Sequence, residues 1–579
     1  MRGGGQSLKF KKLYLYFSNC YIGLFAFICI FFVFVNFYYY QTYQSHITSF
    51  IFALKDDDTS TILGIIFRDY PTILLLFICV IFSIFCVWLN TKFLHLNLPL
   101  VRLKFRIVLT LFLVFMMLYI LALRGPFKHV TMNRNLYRFS TIESFNAIAL
   151  NPMMSFAWAY QHYKNKGQKF EPVSNDESVL LQKKLFPLFI KTSKNDFDKP
   201  HIMVNLMESF GGNLFAFHNK DLNLLGALEK HFEQDFVWHR FLSFGNDTIT
   251  SLSFLFFGKP SPLNRSFDYS RYYLPYTPIE IYKKQGYKII FLNAGNRSWY
   301  DIGEYMKRQG VDEVIDEIVL MKHYPQSAKT RFGYGLLDEY MYEEAFSLLS
   351  DAKEPLLIIA LSTSNHRPFP KVYESVKLEA IPISLSQLFP IRLYENINTY
   401  AYANNEFGKF LDKVKQSPLK DHLIIAAAGD HRVRDMQTDF IADKALSFSV
   451  PFYLYLPESY RKNIVYDSTR VGSHKDIFPT LYAFSLSEVE VLNLGGRNLL
   501  GEITDSKYEF GYNTSVSIDK EGIYPDNSKV GYGFLNPTSL QNNKESFEIN
   551  PQKEEFLRDY KKFLDYQLRY RLINLQEQD

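Results

Sequence analysis

Apolar and polar positions divide the chain into two regimes. Residues 13–37, 72–89 and 107–123 are long runs without a single charge, rich in Leu, Ile, Phe and Tyr, and each has about the 17 to 25 residues that a helix needs to cross a bilayer. After Pro200 the pattern changes. Short apolar runs at 202–207, 288–292, 356–361, 423–428 and 452–456 alternate with longer stretches of helical character at 278–285, 300–309, 336–350 and 397–414. Runs that are almost wholly apolar, without in-out alternation, fit strands buried on both faces. Their alternation with helices predicts an α/β domain with a mostly parallel sheet covered on both sides.

Flanking charge orients the apolar segments. Arg2, Lys9, Lys11 and Lys12 precede the first run, and Lys92, Arg102, Lys104 and Arg106 lie between the second and third. Basic flanks stay cytoplasmic, so three spans from an inside N-terminus place everything beyond about Gly125 outside. Residues 47–67, with the Lys55 to Asp58 cluster, are expected to form an external loop or interfacial segment. The expected organisation is therefore a transmembrane region of three or more helices over 1–125, a juxtamembrane helical linker over 126–198, a globular α/β domain over 199–510 and a C-terminal appendage over 511–579, solvated or docking. All four cysteines, at 20, 29, 79 and 86, fall within the apolar runs, so the globular part folds without disulfides. A formal charge of +5 over 579 residues points to no nucleic-acid partner.

Candidate chemistry sits at strand ends, where an open α/β sheet presents polar groups on rigid support. The run at 423–428 leads through Gly429 into adjacent Asp430 and His431, and the run at 202–207 into Glu208, followed by Gly211 and Gly212, which leave room for close approach. Residues 245–260 read as a polar loop before an apolar helix. Thr248 or Ser251 could cap that helix, and Thr250 could point from its N-terminus toward a bound cation, becoming a nucleophile once the metal eases its deprotonation.

With N-terminal spans in front of it, the set Glu208, Thr250, Asp430 and His431 resembles the alkaline-phosphatase and sulfatase superfamily, in particular its lipoteichoic acid synthase and phosphoglycerol transferase branch. The resemblance covers about residues 200–501. It extends to Gly-Tyr-Gly-Leu-Leu-Asp-Glu-Tyr at 333–340, Ser-Asn-His-Arg-Pro-Phe at 364–369 and His-Lys-Asp-Ile-Phe-Pro-Thr at 474–480. It implies Glu208, Asp430 and His431 as metal ligands, with Thr250 as a fourth ligand that becomes phosphorylated; Ser253 and Phe-Gly-Lys-Pro downstream favour Thr250 over Thr248. A donor set of two carboxylates, an imidazole and an alkoxide suits Mn²⁺, with Zn²⁺ or Mg²⁺ also compatible. His366 matches a substrate-side histidine that binds a phosphoryl oxygen or shuttles a proton. Asn296, Arg297 and Trp299 align with a loop that contacts the phospho-headgroup, although the branch often carries an acidic residue where this chain has Asn296. His474 is expected to support the site without being a ligand.

The resemblance implies a membrane-anchored phosphotransferase whose catalytic domain works outside the cytoplasmic membrane. It would move phosphoglycerol from a phospholipid to a glycan or lipid acceptor through a phosphothreonine. Phosphoethanolamine transfer to lipid A or a surface glycan is the neighbouring alternative; many such transferases carry external disulfides, for which this chain has no cysteines. A hydrolytic sulfatase would need a Cys or Ser in a Pro-Arg-containing motif, and the sequence around Thr250 lacks one. A non-catalytic binding protein of the same fold is the alternative of another class.

Overall fold

The computed structural model describes residues 4–43, 47, 49–52, 59–96, 104–124, 150–164, 181–196, 198–260, 273–297, 299–438 and 443–576. The chain divides into two units, residues 1–55 with 62–164, and residues 165–579 with 56–61.

The first unit is helical: α1 (Gly4–Tyr43), α2 (Thr59–Asp69), α3 (Thr72–Leu94), α4 (Phe105–Arg124) and α5 (Pro152–Lys164). Lys11–Tyr43 and Thr72–Leu94 are long and apolar enough to cross a membrane, and the third expected span is a helix with a shorter apolar stretch, Phe105–Leu121. α1 and α3 are joined by a polar clamp within their apolar surfaces. Asn90 Nδ2 donates to Asn19 Oδ1 at 2.7 Å and to Ser18 Oγ at 3.0 Å, and Asn19 Nδ2 donates to Thr91 Oγ1 at 3.0 Å. In hydrocarbon such groups are costly unless they find one another, so they hold the helix pair in register. Residues 47–67, expected to be a loop or interfacial segment, include a short 3-10 turn at Ser49–Phe52 and the start of α2. Of the expected linker, 126–149 and 165–180 lie outside the described residues.

The second unit is built on a seven-stranded sheet of β1 (His201–Met207), β2 (Phe236–Trp238), β3 (Lys288–Asn293), β4 (Glu313–Ile315), β5 (Leu356–Leu361), β6 (Leu423–Gly429) and β7 (Phe452–Tyr455), in the order β2-β7-β6-β1-β5-β3-β4. The five strands from β6 to β4 run parallel, whereas β7 pairs antiparallel with both β6 and β2. The sheet is thus mixed at one edge, and the uniformly apolar sequence of β7 carried no sign of its direction. β1, β5 and β6 are buried along nearly their whole length, as continuous apolar runs require when helices cover both faces. One cover helix, α6 (Thr248–Phe257), is buried at all ten positions and ends on Gly258 at φ 62°, a left-handed cap that suits glycine. Two others, α7 (Asp338–Asp351) and α8 (Leu393–Lys415), turn one apolar side to the sheet.

The C-terminal segment is more than an appendage in solvent. Strands β8 (Phe510–Asn513), β9 (Val516–Asp519), β10 (Ile523–Pro525), β11 (Val530–Phe534) and β12 (Asn542–Glu548) form an antiparallel meander, followed by helix α9 (Pro551–Gln576). Phe510 and Tyr512 of the meander and Tyr560, Phe563 and Leu564 of the helix share a core with Phe186, Phe244 and Phe254. That core reaches α6 and the loop before it, which brings the last 69 residues to bear on the candidate site.

Candidate active site

Strand register decides which residues meet. Met207 pairs with Gly429 across β1 and β6, so the next residues, Glu208 and Asp430, leave the sheet side by side, and the Asp430 amide donates to Met207 O at 3.0 Å. The two loops then press together. A Cβ on Gly211 would lie 2.4 Å from Val433 N, and one on Gly429 would lie 2.2 Å from Phe210 O, so glycine is what lets the backbones approach.

Glu208, Asp430 and His431 are all buried, and one ligand atom from each can be chosen so that all three lie within 4.8 Å of one another. His431 Nε2 stands 3.4 Å from Asp430 Oδ2 and 3.7 Å from Glu208 Oε1. Its other nitrogen, Nδ1, donates to the Arg432 carbonyl at 2.8 Å, which fixes the tautomer and leaves Nε2 as a lone pair aimed at the carboxylates. Nε2 has no hydrogen-bond partner among the described residues. A buried imidazole acceptor facing two buried carboxylates is unfavourable unless a cation lies between them, so these residues fit a divalent metal.

Electrostatics agree with that reading. Burial, followed by the Arg434 charge, pushes the His431 imidazole down to about 3, keeping it neutral as a ligand must be. Burial, reinforced by the neighbouring Glu208 charge, holds Asp430 well above the usual carboxylate range. Burial opposes ionisation of Glu208 too, but His366, His431, Arg434 and the Ser209 hydroxyl together outweigh it and hold its carboxyl below the ordinary value.

The α6 hydroxyl that reaches these carboxylates belongs to Thr248. Thr248 Oγ1 lies 2.5 Å from Asp430 Oδ2 and 3.3 Å from Glu208 Oε2. Asp247 is the N-cap of α6 and accepts the Thr250 amide at 2.8 Å, so Thr248 is the first residue of the helix and Thr250 the third. Two helical steps turn Thr250 about 200° away from Thr248, and its side chain packs beside Gly245, where a Cβ would lie 2.6 Å from Thr250 Cγ2. The sequence-based preference for Thr250 therefore gives way to Thr248 on geometry. Nor is Ser251 the cap; it donates to the Asp430 carbonyl at 2.6 Å and accepts the Gly245 amide at 3.1 Å, tying the helix start to the strand end.

Other expected residues surround this centre to differing degrees. His366 Nδ1 contacts the Arg367 carbonyl, and its ring centroid is 4.1 Å from that of Tyr334. Burial lowers its pKa, against the opposing pull of Glu208. Asn296 donates to Glu317 Oε1 at 2.8 Å, and Glu317 is gripped by Arg331 at 2.9 Å. The Arg297 side chain is exposed and Trp299 is half-buried beside Tyr300; among the described contacts, none joins these three to the Glu208 cluster. His474 donates from Nε2 to the Gly429 carbonyl at 2.9 Å and accepts the Phe244 amide on Nδ1 at 3.2 Å, bridging the end of β6 and the loop before α6. Sequence reasoning passed over Arg434, whose Nε and Nη2 both donate to the Asn246 carbonyl, and over the buried Asp338, whose Oδ1 accepts the Thr363 and Ser364 amides. Arg434 follows His431 by only three positions, a spacing that could have drawn attention to it.

Comparison with known proteins adds an independent line. A family model described as Sulfatase matches residues 200–484. A lipoteichoic acid synthase of Staphylococcus saprophyticus is 21% identical over 289 residues, covering 48% of this chain and 42% of that protein; one from Staphylococcus aureus strain USA300 is 22% identical over 154 residues, covering 27% and 22%. The matches thus span less than half the length of these curated relatives. A solved protein of the alkaline phosphatase superfamily from Vibrio parahaemolyticus superposes with a TM-score of 0.54 at 17% identity, covering 69% of this chain and 97% of that one, which is a likeness of fold.

Proposed function

We propose, from the match of a sulfatase family model to residues 200–484, that the chain is a membrane-anchored, metal-dependent phosphotransferase with Thr248 as its nucleophile. The carrying observation is the Thr248 hydroxyl, directed at both Glu208 and Asp430 where the lone pair of His431 Nε2 also points. Glu208, Asp430, His431 and Thr248 would hold one hard divalent cation, Mn²⁺ before Zn²⁺ or Mg²⁺. When bound, that ion supplies Lewis acidity, which makes a serine or threonine hydroxyl easier to deprotonate and neutralises charge on a phosphoryl group.

In this reading Thr248 Oγ attacks the phosphorus of a phospholipid such as phosphatidylglycerol. The Oγ–P bond forms as the bond from phosphorus to the diacylglycerol oxygen breaks, and the departing alcohol takes up the proton that Thr248 loses. His366, whose pKa burial lowers, passes that proton along. An acceptor hydroxyl on a glycan or lipid then attacks the phosphothreonine, and Thr248 regains its proton. The N-terminus of α6 aims its dipole at the phosphoryl group. Apolar helices such as Thr72–Leu94 would keep the domain beside the bilayer that holds the donor, on its outer side.

The test is intact-protein mass spectrometry of full-length protein in lipid nanodiscs containing phosphatidylglycerol or phosphatidylethanolamine. A phosphoglycerol adduct that vanishes in Thr248→Ala and persists in Thr250→Ala is the expected result. An adduct retained by Thr248→Ala would remove this mechanism, and an adduct of phosphoethanolamine mass would reassign the donor.

A further inference from the structure

A carboxylate-lined site that accepts a phosphoryl group faces a charge problem. One divalent cation offsets Glu208 and Asp430 but leaves the non-bridging phosphoryl oxygens without a counter-charge of their own. We propose that Arg434 is a catalytic residue of this site, its guanidinium binding those oxygens during transfer to and from Thr248. The assignment rests on the phosphotransfer reading above.

Two observations place Arg434 there. It follows the ligand His431 by three residues in the loop that leaves β6. Its Nε and Nη2 donate to the Asn246 carbonyl at 3.3 and 3.1 Å, which brings the guanidinium against the turn two residues before Thr248. That turn is itself braced, since Asn513 Nδ2 donates to the Ser243 carbonyl at 2.8 Å and to Asn246 Oδ1 at 3.3 Å, so the arginine rests on a fixed support.

Neighbouring arginines have other tasks. Arg432 is buried and donates to the Met436 carbonyl at 3.4 Å, and Arg367 is ion-paired with Asp435 at 3.2 Å. Arg434 is half-buried, and a guanidinium binds phosphate through planar, paired N–H donors that an ammonium cannot reproduce. In the transfer step the Thr248 Oγ–P bond forms while the bond to the leaving alcohol breaks, and Arg434 neither gains nor loses a proton. Its contribution is electrostatic, made where negative charge accumulates on the phosphoryl oxygens.

The experiment compares full-length wild type, Arg434→Lys and Arg434→Gln, each loaded with Mn²⁺. Metal content, affinity for inorganic phosphate by calorimetry and the rate of adduct formation in phosphatidylglycerol nanodiscs are measured. Expected for Arg434→Gln are unchanged metal stoichiometry, phosphate binding weakened by about 10-fold or more, and an adduct rate lower by about 10²- to 10³-fold, with Arg434→Lys between it and wild type. Phosphate affinity within about twofold of wild type in Arg434→Gln would overturn the assignment. So would loss of metal and phosphate binding together in Arg434→Gln with recovery of both in Arg434→Lys, because that pattern marks a strut of the loop. If wild type binds phosphate through Arg434 but forms no adduct, the transfer reading fails while the anion contact stands.

Discussion

Asp430 divides its two carboxylate oxygens: Oδ1 accepts the Ser209 amide at 2.7 Å, leaving Oδ2 for Thr248 at 2.5 Å. The His431 amide, also on Oδ1 at 2.7 Å, completes the anchor. Ser209 adopts a left-handed backbone with φ 51° to deliver its N–H, an unusual conformation for a residue other than glycine that this hydrogen bond helps to maintain. Amide donors thus orient the carboxylate, and its free oxygen faces the hydroxyl and the imidazole.

Replacing Asp430 by Asn keeps an acceptor for those two amides but removes the anion facing Thr248. Outer partners of metal ligands are typically worth 10- to 100-fold in affinity, so loss of this inner one is expected to cost more than about 100-fold. Metal content after dialysis against weak chelator is the measurement. Asp430→Asn protein should emerge metal-free with its melting temperature, compared with metal-free wild type, nearly unchanged.

Gly211→Ala tests the close approach of the two loops. Its Cβ would fall 2.4 Å from Val433 N and 2.8 Å from Arg432 Cα, backbone atoms that cannot swing aside. A loss of about 1–3 kcal/mol is expected from overpacking. Because the forced movement separates Glu208 from His431, metal affinity should fall as well; a stable variant that binds metal normally would contradict the packing argument.

Asp338 carries a pH signature. Burial pushes its carboxyl up to about 7, against hydrogen bonds from Thr363 and Ser364, and its Oδ2 has no partner among the described residues. A carboxyl raised in the folded state stabilises the fold fully below its unfolded value of about 3.9, and that contribution is lost as pH rises through about 7. Asp338→Asn keeps the acceptor for both amides and cannot ionise. The variant should match wild type near pH 4 and exceed it by roughly 3–4 kcal/mol at pH 8, read from denaturant unfolding across that range.

Arg571, in the final helix, ends α6 from the far side. Its Nη2 donates to the Phe257 carbonyl at 2.7 Å and its Nη1 to the Pro275 carbonyl at 3.1 Å, and the residue is fully buried. A cation on the last carbonyls of α6 matches the helix dipole. Arg571→Ala should destabilise the unit by about 3–5 kcal/mol, through orphaned carbonyls and a cavity, and Arg571→Lys should restore part of that loss. Thermal unfolding of both variants provides the comparison.

Much of the frame is legible in the chain because it follows from local pattern. Uniform apolar runs at 356–361 and 423–428 match strands Leu356–Leu361 and Leu423–Gly429, and the helix expected at 397–414 appears as Leu393–Lys415. The meander over Phe510–Glu548 was not legible, because its short strands alternate weakly among turn residues and gain a core by packing on distant residues, Phe186 and Phe244 on one side and Leu242, Ala445 and Phe448 on another. The threonine was nearly legible. Asp is a strong N-cap and accepts from the third helical residue, so Asp247 before Thr-Ile-Thr already commits the Thr250 amide and leaves Thr248 at the helix entrance.

By itself the sequence determined the apolar helices, the parallel strands and the residue types waiting at their ends, since hydrophobic periodicity and turn chemistry act over a few residues. Only the tertiary structure decided that Met207 and Gly429 share a register, that Thr248 and not Thr250 faces the carboxylates, and that Arg434 rests on the Asn246 carbonyl in the turn before Thr248. Those outcomes depend on distances between segments some 40 to 220 residues apart, which close packing of strands and loops sets and no local preference can encode.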